Sequence, residues 1–237
     1  MVLAQQANLQ RDTPPLSVVV PVRNEAARLP ALLAALHGAP ELVAEVLVVD
    51  GGSRDASRTI AQLAGARLLR CSGGRGAQIA LGVAAATGRW LLLLHGDAVL
   101  PRGWAAAVGR AMQREQGAWY FELAIADPHP GLRLVEQAVA LRSRWRQLPY
   151  GDQGLLLPAA LLERCGGVKP LPLMEDLELI QRLRAITRLH SLGLGLQVDG
   201  RRWRRLGVWR TALENARLRR AWRNGTNPEQ LARAYYG

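Results

Sequence analysis

Apolar residues come in short blocks whose period switches back and forth along the chain. Leu16–Val22 is a continuous Val-rich run, which predicts a strand buried on both faces. Ala26–Leu36 then carries Leu29, Leu32, Leu33 and Leu36 at helical spacing. The same alternation predicts strands at Val46–Val49, Ala66–Leu69 and Trp90–Leu94, and helices at Asp55–Ala64, Gly76–Ala86 and Gly103–Met112. Strand and helix in turn, with short connections, imply βαβ units and a parallel sheet covered on both faces. Such sheets bind ligands beyond the carboxyl ends of their strands. The residues that follow each strand are therefore the first place to look for chemistry.

Beyond residue 117 the alternation loosens. A strand is expected over Ala118–Ile125, a helix over Gly131–Arg146, and a short strand over Gly154–Leu157. Helices are expected at Pro158–Arg164 and Leu177–Ala185, an edge strand at Arg188–Leu192, a basic amphipathic helix at Val208–Trp222 and a short helix at Pro228–Tyr235. With no repeat and no linker, the economical organisation is a loose arm over 1–15, one domain over 16–200 with lobes at 16–115 and 116–200, and a basic helical segment over 201–237. Trp90, Trp104, Trp119 and Trp145 are expected in packing roles.

Composition narrows the function classes. The chain has 237 residues and a formal net charge of +12. That suits an anionic partner or simply a solvated basic face. The excess is partly C-terminal, since Arg201–Arg223 is dense in Arg and holds a single acid, Glu214. Two distant cysteines, Cys71 and Cys165, exclude a disulfide framework and suit a reducing compartment. No apolar run approaches the ~20 residues of a bilayer span, and residues 1–15 lack the apolar core of a signal peptide. The expectation is a cytoplasmic protein that can sit peripherally on the inner face of the membrane through 208–222. Nucleic acid is not an expected partner: aromatic residues are 5%, with one Phe, and no RNP, KH or helix-turn-helix pattern occurs.

Five motifs carry candidate chemistry, and each taken alone has an ordinary structural reading. The first strand exits into Pro21-Val22-Arg23-Asn24-Glu25, which reads equally as a helix cap. The second exits into Asp50-Gly51-Gly52-Ser53, where glycines let backbone approach a ligand and Asp50 can accept from hydroxyl or N–H groups. Gly73-Gly74-Arg75-Gly76 opens a helix and suits an anion, but it is neither a dinucleotide fingerprint nor a P-loop. His95-Gly96-Asp97 ends the fourth strand with a carboxylate that can share a divalent cation with phosphate oxygens. Glu175-Asp176 opens a helix, either as dipole-complementing acids or as a general base.

Their order along the chain is what distinguishes them. VVVPVRNEAARLPALLAAL, EVLVVDGGSRDAS, GGRGAQIALGVAAATGRWLLLLHGDAVLP, PYGDQGLLLP and PLMEDLELIQRLR together resemble the family 2 glycosyltransferases, which have the GT-A fold. The resemblance implies an α/β, Rossmann-like three-layer sandwich with a mostly parallel central sheet plus C-terminal helices. It also implies an inverting, single-transfer enzyme that moves a sugar from a UDP- or GDP-linked donor to a hydroxyl acceptor, which can be lipid-linked, with Mn²⁺ or Mg²⁺. HGD, YGDQG and PLMED look like a small stand-alone bacterial subfamily associated with arsenosugar biosynthesis.

By resemblance, Pro21, Asn24 and Glu25 line the nucleoside pocket, Asp50 and Gly52 meet base or ribose, and Arg75 and Gln78 approach base or diphosphate; the ribose contact of the absent DxD acid is either weaker or made by His95. Asp97 is the metal ligand and Asp176 the base. Gly151, Asp152, Gln153, Glu175, Arg202 and Trp203 lie on the substrate side. Two departures stand out. Asp50 is followed by Gly51 where many members have a second acid, which leaves uridine versus guanosine open, and His95 occupies the place of the first DxD acid. The QxxRW signature of processive relatives is absent, because Gln197 and Arg202-Trp203 are wrongly spaced. Two other readings fit less well. A sugar-nucleotide nucleotidyltransferase would carry a Gly-rich loop after the first strand, and a basic nucleic-acid-binding module leaves the strand-end motifs unexplained.

Overall fold

The computed structural model describes residues 15–114 and 116–236. Apart from Pro15, the expected arm over 1–15 lies outside them. The first half follows the predicted alternation: β1 (Leu16–Val22), α1 (Leu29–His37), β2 (Val43–Asp50), α2 (Ser57–Leu63), β3 (Arg67–Arg70), α3 (Arg75–Ala85), β4 (Trp90–Leu93) and α4 (Trp104–Met112). The second half contains β5 (Ala118–Ala126), α5 (Pro130–Arg146), a 3₁₀ turn (Gly151–Gln153), β6 (Leu155–Pro158), α6 (Ala159–Arg164), α7 (Glu175–Ile186) and β7 (Leu189–Asp199). Three helices close the chain: α8 (Arg201–Leu206), α9 (Val208–Arg223) and α10 (Pro228–Tyr236).

The strands form one seven-stranded sheet in the order β3-β2-β1-β4-β6-β5-β7. Alternate residues of each strand serve opposite faces. Val18, Val20, Val22, Val48 and Leu92 pack with α1, α2 and α4 on one side. Val19, Leu47, Val49 and Leu91 pack with Ile79 of α3 and with α6 and α7 on the other. Both faces of β1 are fully covered, which is why its sequence is an unbroken apolar run. The three-layer α/β sandwich expected from the sequence is therefore present. Burial of each such Val or Leu contributes on the order of 1.5–3 kcal/mol.

Strand direction gathers the functional segments. β1, β2, β3 and β4 are mutually parallel, so their exits share one edge. β6 runs antiparallel to β4 and β5, which brings its start, and the 3₁₀ turn before it, to that same edge. β5 and β7 are parallel to each other, so Asp199 and Arg201 arrive there too.

Three expectations are corrected. The edge strand expected over Arg188–Leu192 continues to Asp199, because Leu196 and Val198 keep the inward alternation past Gly193 and Gly195. The basic helical segment expected over 201–237 opens with a separate short helix, α8 over 201–206, ahead of the one expected to begin at Val208. Trp90, Trp104 and Trp119 are core residues, but Trp145 is 79% exposed.

Candidate functional site

The exits of β1 and β2 are tied together before any ligand is considered. Asn24 adopts a left-handed φ of 58°, which Asn tolerates better than most residues. Its backbone N–H donates to Ser53 Oγ at 3.0 Å and its Oδ1 accepts from Arg54 N–H at 2.8 Å. Asp50 is 2% exposed, and its carboxylate accepts from the N–H groups of Gly52 and Ser53 at 3.2 and 3.0 Å. This is the side-chain turn that Asp commonly makes two residues ahead. Gln78 of α3 donates from Nε2 to the carbonyls of Val22 and Val49 at 3.0 and 2.6 Å, pinning the two strand ends. Gln153 is fully buried; its Nε2 donates to Phe121 O at 3.1 Å, while its Oε1 accepts from Ser143 Oγ at 3.0 Å and Tyr150 N–H at 3.2 Å. Asn24, Asp50, Gly52 and Gln153 thus hold the loops in place, and none of them lines the cleft between those loops.

That cleft has a volume of about 1570 Å³. Pro21, Glu25, Arg75, Gln78, His95, Asp97, Asp152, Asp176, Arg202 and Trp203 line it. Gly151 and Glu175 lie in a smaller hollow that shares His95 and Asp176 with the cleft. Asp97 and Asp176, far apart in sequence, therefore face one cavity.

Asp176 sits in the first turn of α7, after Met174 in a left-handed conformation (φ 66°). Its Oδ1 accepts from Leu177 N–H and its Oδ2 from Gly151 N–H, both at 2.8 Å. Glycine permits the close approach at Gly151: a Cβ there would lie 2.9 Å from His95 Nε2 and 3.1 Å from Asp176 Oδ2, and these side chains would have to shift. Three segments, the β4 exit, the 3₁₀ turn and the start of α7, converge at this point. Arg75 pairs with the buried Glu175 beside it. A Cβ at Gly76 would fall 2.3 Å from Leu171 O, so only glycine lets α3 dock closely enough to form that pair.

A second charged group also lines the cleft. Glu25 pairs with Arg201, which also reaches Asp199 at 3.1 Å, and Arg28 pairs with Asp199 at 2.7 Å. Burial raises the Glu25 carboxyl above its ordinary range, Arg201 opposes this, and the negative charge of Asp97 adds to it. Burial likewise raises Glu175 against the pull of Arg75, and raises Asp152 against the pull of Arg142.

His95 is pushed down to about 4, first by burial and then by the Arg75 charge, although Asp97 and Asp176 pull the other way. It is therefore a neutral imidazole at pH 7. The unfolded chain takes up a proton below about 6.5 that the folded His95 refuses until about 4. Stability from this group is complete above pH 6.5 and is lost as pH falls toward 4, by up to about 3 kcal/mol. The raised acids Glu25, Glu175 and Asp152 act oppositely over an overlapping range. The His95 share is accordingly the difference between wild type and His95→Gln in urea melts at pH 7.5 and pH 5. The variant should lose less stability on acidification than wild type.

Three cation–π contacts were not visible in the sequence. Tyr150 has the Arg142 guanidinium 3.7 Å from its ring centre and that of Arg219 at 5.6 Å, and Arg202 lies 3.9 Å from the Tyr235 ring centre. Arg202, Trp203, Arg219 and Tyr235, which all line the cleft, come from helices that read as a separate basic segment. An Arg on an amphipathic helix looks the same in sequence whether it faces water or a cavity.

Among the described residues no three His, Cys, Asp or Glu side chains cluster closely enough to hold a cation by themselves. Asp97 opens onto the cleft near Glu25, whose Oε2 has no hydrogen-bond partner among the described residues. One or two carboxylates at an open cleft fit a hard divalent cation that completes its shell with ligand phosphate oxygens and water.

Comparison with known proteins bears on this arrangement. The family model described as Glycosyl transferase family 2 matches residues 17–140, more than half of the chain. No curated protein matches the sequence. Solved structures match widely. TarS 1–349 of S. aureus in complex with UDP-GlcNAc aligns with a TM-score of 0.62 at 17% identity, over 78% of this chain and 58% of that one. The mannosyltransferase PcManGT of Pyrobaculum calidifontis, with GDP-Man and Mn²⁺, gives 0.61 at 21% identity over 79% and 57%. Glucosyl-3-phosphoglycerate synthase of Mycobacterium tuberculosis, with Mn²⁺, UDP and glucosyl-3-phosphoglycerate, gives 0.55 at 20% identity over 78% and 72%. At these identities the likeness is one of fold, and the chain spans less than two thirds of the first two.

Proposed function

Since the chain belongs to glycosyl transferase family 2, we propose that it transfers one sugar per encounter from a nucleotide-diphosphate sugar to a hydroxyl acceptor, with inversion at the anomeric carbon. The observation that carries this reading is the single cleft shared by Asp97 and Asp176, with neutral His95 beside both. The donor half is framed by the tied exits of β1 and β2, and the acceptor half by the 3₁₀ turn and the C-terminal helices. The complexes of the structural neighbours with UDP-GlcNAc, UDP and Mn²⁺, or GDP-Man and Mn²⁺ support a nucleotide-sugar donor and a divalent cation. HGD, YGDQG and PLMED support the finer assignment to the small stand-alone subfamily associated with arsenosugar biosynthesis.

Asp176 takes the proton from the acceptor hydroxyl as that oxygen attacks the anomeric carbon from the face opposite the leaving diphosphate. Its two accepted N–H bonds fix the carboxylate in place for this step. Arg75, held by Glu175, and Arg201, held by Glu25, aim positive charge toward the diphosphate. Asp97, with Glu25 near it, would hold the cation, whose chemistry when bound is to neutralise charge growing on the leaving group. Alignment of the two substrates supplies much of the rate. The test is a melting-temperature screen of UDP-, GDP-, dTDP- and CDP-sugars with Mn²⁺ or Mg²⁺, followed by assay of nucleoside diphosphate release. Cation-dependent stabilisation by one donor is expected. Stabilisation by a nucleoside triphosphate with a sugar phosphate would favour a nucleotidyltransferase instead.

A further inference from the structure

Helix α5 carries two apolar faces. Leu132, Val139 and Ser143 are buried on one. Leu134, Leu141 and Trp145 recur at helical intervals on the other and are 56%, 50% and 79% exposed. At about 100° per residue this second line runs on the side of the helix opposite Leu132 and Ser143. Helix α9 repeats the arrangement: Val208 and Thr211 are buried, while Trp209 and Leu213, one turn apart, are 65% and 52% exposed. The two helices pack on each other, and Leu134 and Trp209 both reach the rim of the cleft. Exposed Leu and Trp concentrated in this way mark a surface that meets something apolar.

Charge identifies what that is. The line of Trp209 and Leu213 continues along α9 to Arg220 and Arg223, with Arg217 alongside, and all three arginines are exposed. None of them enters a salt bridge among the described residues, because Glu214 is engaged by Arg210 and Arg202. A second copy of the chain docking two-fold on this face would bring the same arginines toward one another. An anionic bilayer meets both features, taking indole and Leu side chains at headgroup depth and guanidinium groups at the phosphates. The geometry points to α5 and α9 together as a docking surface for an anionic lipid bilayer, with the cleft rim against the membrane. The sequence suggested only 208–222; α5 supplies a second apolar line and Trp145. No helix among the described residues is long and apolar enough to cross a membrane, and the proposed contact is interfacial. This inference does not rest on the transfer chemistry, and its test reads binding alone.

The full chain is mixed with vesicles of phosphatidylcholine, of phosphatidylcholine with phosphatidylglycerol, and of the latter mixture with brominated acyl chains. Sedimentation with the phosphatidylglycerol vesicles and quenching of tryptophan fluorescence by the brominated lipid are expected. Leu141→Ser with Trp145→Ser should weaken partition at least about tenfold through lost apolar burial. Arg217→Gln with Arg220→Gln should weaken it roughly fivefold per charge. Thermal melts check that both surface variants stay folded. The proposal is overturned by absent binding to phosphatidylglycerol vesicles, by binding without quenching, or by a serine variant that binds as well as wild type. A concentration-dependent dimer that Trp145→Ser abolishes would assign the face to self-association instead.

Discussion

Asp176→Asn is expected to lower sugar transfer roughly 10²–10⁴-fold, the contribution of a positioned general base, while donor binding persists. Asn preserves the shape of the side chain but presents only one oxygen. Asp176 currently accepts from both Gly151 and Leu177, so one of these N–H groups loses its partner. That costs about 1–3 kcal/mol of stability if the group stays dry. A lower melting temperature therefore accompanies the lost activity and must be separated from it. Donor affinity, measured by calorimetry below the melting transition, makes the separation. Loss of transfer with intact donor binding assigns the base role, and normal turnover in Asp176→Asn removes Asp176 from it.

The second large effect is expected at Asp97. Asp97→Asn should reduce transfer roughly 10²–10³-fold, the scale of losing one electrostatic contact to the charge that develops on the leaving group. Its signature lies in binding. In wild type, Mn²⁺ should tighten nucleotide binding; in Asp97→Asn that enhancement should vanish while metal-free affinity stays similar. The substitution also removes the negative charge that adds to the upward shift of Glu25. The variant should consequently fold normally, since the Glu25–Arg201–Asp199–Arg28 network remains. Full activity of Asp97→Asn in chelator would exclude the metal-holding role.

The sequence by itself determined the layered architecture. Val18, Val19 and Val20 must each be buried, and an unbroken apolar strand can only be satisfied by cover on two faces. The helices were equally legible, because Leu29, Leu32, Leu33 and Leu36 leave a single stripe that has to meet the sheet. The strand-end motifs were legible as a set, since parallel strands deliver their exits to one edge. The tertiary structure decided which members of that set face the cavity. Asp50 and Gln153 have the right chemistry and the right neighbourhood, yet their polar atoms are consumed by loop N–H groups and a strand carbonyl, a matter of a few ångströms that spacing cannot resolve. Likewise the antiparallel direction of β6, set by pairing with β4 and β5, carries Gly151 to Asp176. The fold of the C-terminal helices, set by packing on α5, turns part of an arginine-rich tail into a wall of the cleft. Local periodicity encodes burial, but convergence of remote segments is a property of the assembled sheet.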